Sequence, residues 1–224
     1  MSSTSQGPPP ESHAEDGHPV RFSVDYPDRE LNRLTTAFRI IIVIPIAIVL
    51  GAISGYQSGG EFDSSSNTTV IAIGGTGLLF LPPLLMLVFR QKYPRWWFDW
   101  NLELLRFVNR VCVYVALMDD RYPSTDEQQS VHLDFDYPDA KQGLNRWLPL
   151  VKWLLAIPHY IVLFFLTIGG IFALIAAWFA ILFTGRYPRG LFDYLEGVIR
   201  WHNRVNGYAY ILVTDQYPPF RLRP

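Results

Sequence analysis

Two stretches of the chain set acids, arginines and an asparagine at the same spacing: "FDWNLELLRFVNRV" (Phe98 to Val111) and "FDYLEGVIRWHNRV" (Phe192 to Val205). On a helix, at 100° per residue, Asp99, Arg106 and Arg110 fall within about 20° of one line, and so do Asp193, Arg200 and Arg204. Two kinds of chemistry suit such a stripe. At a membrane surface, guanidinium groups bind lipid phosphates through paired N–H donors, which makes Arg106, Arg110, Arg200 and Arg204 candidates for lipid or partner contact. Turned inward, the same groups form an ion-paired brace with Asp99 and Asp193, or with Asp25, Asp28, Asp136 and Asp139 in the flanking segments. Asn109 and Asn203 stand beside the last arginine of each stretch, where the helical pattern gives way. They are expected to satisfy backbone groups at a helix end.

His159 is the only ionisable side chain well inside an apolar run. Intramembrane ionisable groups mark functional sites by default; a neutral imidazole bonded to a carbonyl or to Tyr160 is the structural counterpart. Transport coupled to protons or sodium usually needs acids within the bilayer, and the run around His159 has none. The chain carries no phosphate loop, no G-x-S-x-G elbow and no H-E-x-x-H pair. Cys112 is its single cysteine, which excludes an intramolecular disulfide and a cysteine metal site. No catalytic residue, metal or cofactor is expected. A net charge of -1 gives no general attraction to nucleic acid.

The elements that would position these groups follow from composition. Hydrophobic residues make up 50% of the chain and charged residues 17%, below the roughly 25% usual for soluble domains. Between Arg39 and Arg90 the only charges are Glu61 and Asp63, and between Lys152 and Arg186 there are none. Runs of about 20 such residues suffice to cross a bilayer. Four transmembrane helices are expected, at about 37–55, 70–90, 147–168 and 171–186, the last two turned at Gly169-Gly170. The "IP" at Ile44-Pro45 and Ile157-Pro158 predicts a kink in each copy. Gly74, Gly75 and Gly77 suit a close helix-packing face. Amphipathic helices are expected at about 95–110 and 190–204. Alternating "VRFSVDY" and "VHLDFDY" predict strands, as do "VCVYVALM" and "GYAYILV".

These elements are written twice. "VDYPD" (Val24 to Asp28) meets "FDYPD" (Phe135 to Asp139), "LNRL" meets "LNRW", "YPRWWFD" meets "YPRGLFD", and "DRYP" meets "DQYP". The division is a polar, disordered cytoplasmic tail at 1–19, a first repeat unit at 20–124, a linker at 125–130 and a second unit at 131–220. The tail lacks the pattern of a cleaved signal peptide. Lys and Arg flank the apolar runs but are missing from the 51–69 loop and from Gly169-Gly170. Both termini are therefore expected in the cytoplasm, in a multipass inner-membrane protein whose two copies share one orientation. Asn67-Thr68-Thr69 in that loop is a weak glycosylation pattern.

"RFSVDYP", "LNRL" with its "IP", "RYPRGLFDYLEGVIRWHNRV" and "GYAYILVTDQYPPF" together resemble the DUF4389 family, bacterial and archaeal multipass membrane proteins gathered as a domain of unknown function. The resemblance covers about 20–220 and is tightest in the second unit, the first being a looser version. It implies an integral membrane protein and carries over no activity, substrate or catalytic residue. The expected fold class is an all-α membrane bundle with minor β, built from two hairpins. The expected role is a non-catalytic scaffold or accessory subunit that meets lipid headgroups, a membrane-protein partner or a second copy at the cytoplasmic face. An oligomeric channel or uncoupled transporter is the first alternative, and a lipid-headgroup enzyme the second.

Overall fold

A computed structural model describes residues 17–53, 82–125, 127, 129–140 and 143–224. Among the described residues the chain is mostly helical with one small sheet. Strands β1 (Val20–Val24) and β2 (Val131–Phe135) pair antiparallel. Helices are α1 (Arg33–Ile53), α2 (Arg95–Val115), α3 (Pro149–Leu155), α4 (Ile157–Thr184) and α5 (Arg189–Ala209), with a π-helical turn at Met86–Arg90. Residues 1–16 of the expected tail, residues 54–69 of the expected loop, most of the 70–90 helix and Gly74, Gly75 and Gly77 lie outside the described residues. The last residues of the tail are ordered, with His18 buried and its Nδ1 accepting the Val20 N–H at 3.2 Å, and residues 51–53 finish α1.

The strand pattern sets the register. Val20, Phe22 and Val24 point to one face and stand opposite Phe135, Leu133 and Val131, all six buried. A slip by one residue would turn every one of them to solvent. That apolar face is covered by helices from both sides of the chain: α2 packs on β2 and α5 on β1. Each amphipathic helix thus rests on the strand that belongs, in sequence, to the other half.

Both long amphipathic helices start directly after a Tyr-Pro. Pro94 and Pro188 hold nearly the same extended conformation, φ -66° and -65°, set by the pyrrolidine ring. Both helices run further than the sequence predicts. "VCVYV" is the end of α2 and "GYA" the end of α5, so these runs are helix and not strand. Short β-branched or aromatic runs fit either period, and packing decides between them. Beyond each helix, Leu117 and Leu212 take left-handed conformations, φ 64° and 63°, which turn the chain sharply.

The expected turn at Gly169-Gly170 is not a turn. Helix α4 runs through both glycines for 28 residues, about 42 Å at 1.5 Å per residue. The glycines serve close approach instead. A Cβ on Gly169 would lie 2.6 Å from the Tyr194 hydroxyl, and one on Gly170 3.3 Å from Leu195, both on α5. The second apolar segment is therefore one long helix and not a hairpin, which separates its Lys152 end from its Arg186 end. Pro45 sits inside α1, while Pro158 stands in the first turn of α4, just after the break at Ala156. Among the described residues, α4 is the one helix long and apolar enough to cross a membrane.

Candidate functional site

The arginine stripes face inward. On α2, Arg106 Nε donates to the Leu133 carbonyl at 2.9 Å, and its outer nitrogens meet Glu103 at 2.6 Å and Asp134 at 2.5 Å. On α5, Arg200 Nε donates to the Phe22 carbonyl at 2.9 Å, one outer nitrogen donates to Leu222 O at 3.0 Å, and the other pairs with Glu196. Both arginines thus pin a helix to the middle of the opposing strand. Arg110 Nη1 donates to Ser124 O at 2.8 Å. Arg204 is fully buried, with Nη1 3.4 Å from Arg221 O and from Arg223 O.

The acids in this network are only partly those that helical spacing suggests. Arg106 and Arg200 use Glu103, Asp134 and Glu196. Asp99 is exposed on α2, and Asp193 lies 3.9 Å from Arg189. Asp25 pairs with His132 at 3.1 Å and Asp136 with Arg21 at 2.8 Å, both on the polar face of the sheet. A charged side chain takes the nearest partner after packing, and an i,i+3 or i,i+4 acid is nearer than one seven residues away. Burial pushes the Glu196 carboxyl above its ordinary value, with Arg200 and the Val24 N–H pulling it back.

Asn109 and Asn203 do not end their helices. Each donates to the carbonyl four residues earlier, Leu105 at 2.8 Å and Ile199 at 3.0 Å. Each also donates to the other: Asn109 Nδ2 to Asn203 Oδ1 at 2.9 Å, and Asn203 Nδ2 to Asn109 Oδ1 at 2.7 Å. In this reciprocal pair each amide gives one N–H and one carbonyl oxygen to the other. It sits buried where α2 meets α5.

His159 is buried and faces the protein. The Trp201 indole N–H donates to His159 Nδ1 at 3.1 Å, which leaves the ring proton on Nε2, and Phe220 stacks on the ring at 4.1 Å. The residues after α5, 210–224, thus form a C-terminal strap that folds back over α4.

Two cations that sequence reasoning treats as mere flanking charges prove central. Arg39 on α1 donates to the carbonyls of Tyr114 at 3.0 Å and Asp119 at 2.8 Å, pairs with Asp120 and lies over the Tyr114 ring. Lys152 on α3 donates to Thr214 O at 2.7 Å, pairs with Asp215 at 2.6 Å and lies over Tyr208. The same aspartates accept the backbone N–H of Asn32 at 2.8 Å and of Asn145 at 2.5 Å. Tyr26 and Tyr137 likewise donate, each at 2.5 Å, to the carbonyls of Tyr187 and Tyr93. The signal was in the sequence: each aspartate precedes a Tyr-Pro in "DRYP" or "DQYP". Beside Asp120, Asp119 is a hub for Arg29, Arg121 and Ser130. Burial raises its carboxyl, but the Ser130 hydroxyl and Arg121 outweigh that and hold it below its ordinary value.

Comparison with known proteins adds one finding. Residues 147–221 match the family model of DUF4389, a domain of unknown function. The DUF4389 stretch takes in α3, α4, α5 and most of the strap that closes over His159, which agrees with the sequence resemblance in the second unit; the match does not extend to the first. No curated protein and no solved structure matches the chain.

Proposed function

We propose that the chain is a non-catalytic integral membrane protein. Helices α1 and α4 lie in the bilayer, and the layer of α2, α5 and the sheet forms a rigid platform at its cytoplasmic face. The observation that carries this reading is the outward surface of α4. Phe164, Phe165, Phe172 and Phe183 are 61%, 65%, 69% and 77% exposed, on a helix without one charged residue. Exposed apolar area on that scale marks a membrane or protein contact.

The platform's arginines are occupied within the protein, which supports their role as a brace. Contact with headgroups then falls to exposed tryptophans, Trp96, Trp100, Trp147 and Trp153, residues suited to the interface between lipid and water. Arg200 binds the carbonyls of Phe22 and Leu222 together. Strand β1 and the C-terminal strap therefore meet at one place, which supports both ends lying on one side of the membrane. The repeated contacts around Arg39 and Lys152, and the reciprocal asparagine pair, support two copies of one unit. The platform offers a scaffold surface to a membrane-protein partner or a second copy.

Extraction and flotation test this reading. The account expects the chain to stay with membranes through alkaline carbonate washing and to float with vesicles after reconstitution. Release by carbonate would contradict it.

A further inference from the structure

His159 stands in the first turn of α4, fully buried beneath the C-terminal strap. Its contacts suit the neutral ring alone. The Trp201 indole N–H can only donate, and it donates to His159 Nδ1 at 3.1 Å. Phe220 stacks on the ring at 4.1 Å and Tyr217 lies at 4.7 Å. Among the described residues, Nε2 has no hydrogen-bond partner. A second proton, on Nδ1, would set N–H against N–H and leave a buried cation with neither donor accepted. Attraction to the Phe220 face recovers part of that loss but supplies no acceptor.

The surrounding elements hold no spare carboxylate. Asp215, the one acid of the strap, is taken by Lys152 of α3 at 2.6 Å and by the Asn145 N–H at 2.5 Å. On α5, Glu196 pairs with Arg200, Arg204 is itself a cation, and His202 bonds Val198 O. The Tyr217 hydroxyl donates to Leu155 O at 3.2 Å, Tyr208 packs on Tyr217, and Tyr160 packs against Tyr210. The other charges of the strap, Arg221 and Arg223, are cations.

The first half of the chain fills the same place without any of this. The sequence match sets Ile46 against His159 and Phe107 against Trp201, and Ile46 and Phe107 are buried in one apolar cluster. Where the strap carries Phe220, the first half has Thr125. The fold therefore needs neither an imidazole nor a stacked ring at this point, and the histidine, its indole donor and its aromatic cover occur together in one half only.

We propose that His159 is a proton-operated latch on the C-terminal strap. The neutral ring holds the strap closed through Trp201 and Phe220, and the second proton breaks the Trp201 bond and opens it. The device stands on the contacts of the strap and goes beyond the scaffold reading, which does not require it.

Hydrogen exchange of the full chain in detergent tests the latch. Within the strap, the Arg221 N–H donates to Pro219 O and the Gln216 N–H to Thr214 Oγ1, so strap amides report its closure, and the amides of β1 report the platform. Between pH 7.5 and 5, a range that brackets the ordinary histidine value near 6.5, strap protection corrected for intrinsic rates is expected to fall about tenfold, the effect of one lost buried hydrogen bond. Protection of β1 should hold. His159→Gln keeps an acceptor for Trp201 without titrating and should abolish the fall. Trp201→Phe, the residue type at position 107, removes the opposing donor and should make the fall clearly smaller. Strap protection that is unchanged at pH 5 overturns the proposal, as does an equal fall in His159→Gln. A parallel loss in β1 also overturns it, since that is general loosening by acid. If His159→Gln lacks β1 protection at pH 7.5, Trp201→Phe decides, and an undiminished fall there overturns the latch.

Discussion

Arg200 holds α5, β1 and the C-terminal strap with one guanidinium, and both it and Glu196 are largely buried, at 7% and 14% side-chain exposure. Removing it strands a buried carboxylate and two carbonyls. Arg200→Ala is therefore predicted to destabilise the protein by about 3–5 kcal/mol, read as a loss of thermal stability in detergent. Arg106→Ala should cost clearly less, because Arg106 and its acids are in part solvated. A loss of copurifying anionic lipid without loss of stability in either variant would favour headgroup binding over bracing. Asp119 adds a pH dependence. Its folded pKa lies below the ordinary 3.8, so its contribution is complete above that value and is lost as pH falls through the folded one. Melting temperature measured down the acid limb should fall less steeply for Asp119→Asn than for the wild type. An equal slope would show that Asp119 carries no such linkage.

Among the elements, the continuity of α4 is the sharpest departure from expectation. Two adjacent glycines between apolar runs read as a turn. Only the approach of Tyr194 and Leu195 explains them, and no periodicity within one segment encodes a neighbour more than 20 residues away. Gly170→Pro separates the two readings. A turn would accept proline there, whereas a continuous helix loses a backbone bond and clashes, at a cost of about 3 kcal/mol or more. Near-wild-type stability would restore the hairpin. The strands β1 and β2 and the start of each amphipathic helix were legible, since alternation and Tyr-Pro are local signals. The far ends of α2 and α5 were not, because "VCVYV" and "GYA" suit a strand until the helix beneath them supplies packing. The asparagine pair was half legible. Equal spacing placed both residues, but that each would find the other, and not a helix terminus, depends on how α2 crosses α5. Asn109→Ala is predicted to cost about 1–3 kcal/mol by leaving the Asn203 amide unpaired. Asn109→Leu with Asn203→Leu should recover most of that in a double-mutant cycle; additive losses would mean that the two amides act independently.

For the whole molecule, the division into two sequence units does not describe two separable bodies. Helix α2 rests on β2 and α5 on β1, and Arg106 and Arg200 stitch each helix to the other unit's strand. Cleavage at a protease site placed within the 125–130 linker should therefore leave the fragments together on size exclusion in detergent. Their separation would contradict the interlocked packing. Composition made the apolar character of the molecule plain, but it could not say how many times the chain crosses a bilayer, because length and hydropathy do not distinguish a hairpin from one long helix with its glycines packed. The most direct test of the account is a nitroxide scan of the outward face of α4. Single cysteines replace Ile161, Phe164, Ile168, Phe172, Ile175 and Phe179 in turn, with Cys112→Ser as background, in reconstituted vesicles. The account predicts oxygen accessibility and protection from a water-soluble relaxant at every site, continuous across Gly169-Gly170. A water-exposed break at those glycines, or water exposure along the whole face, would contradict a continuous helix bedded in the membrane.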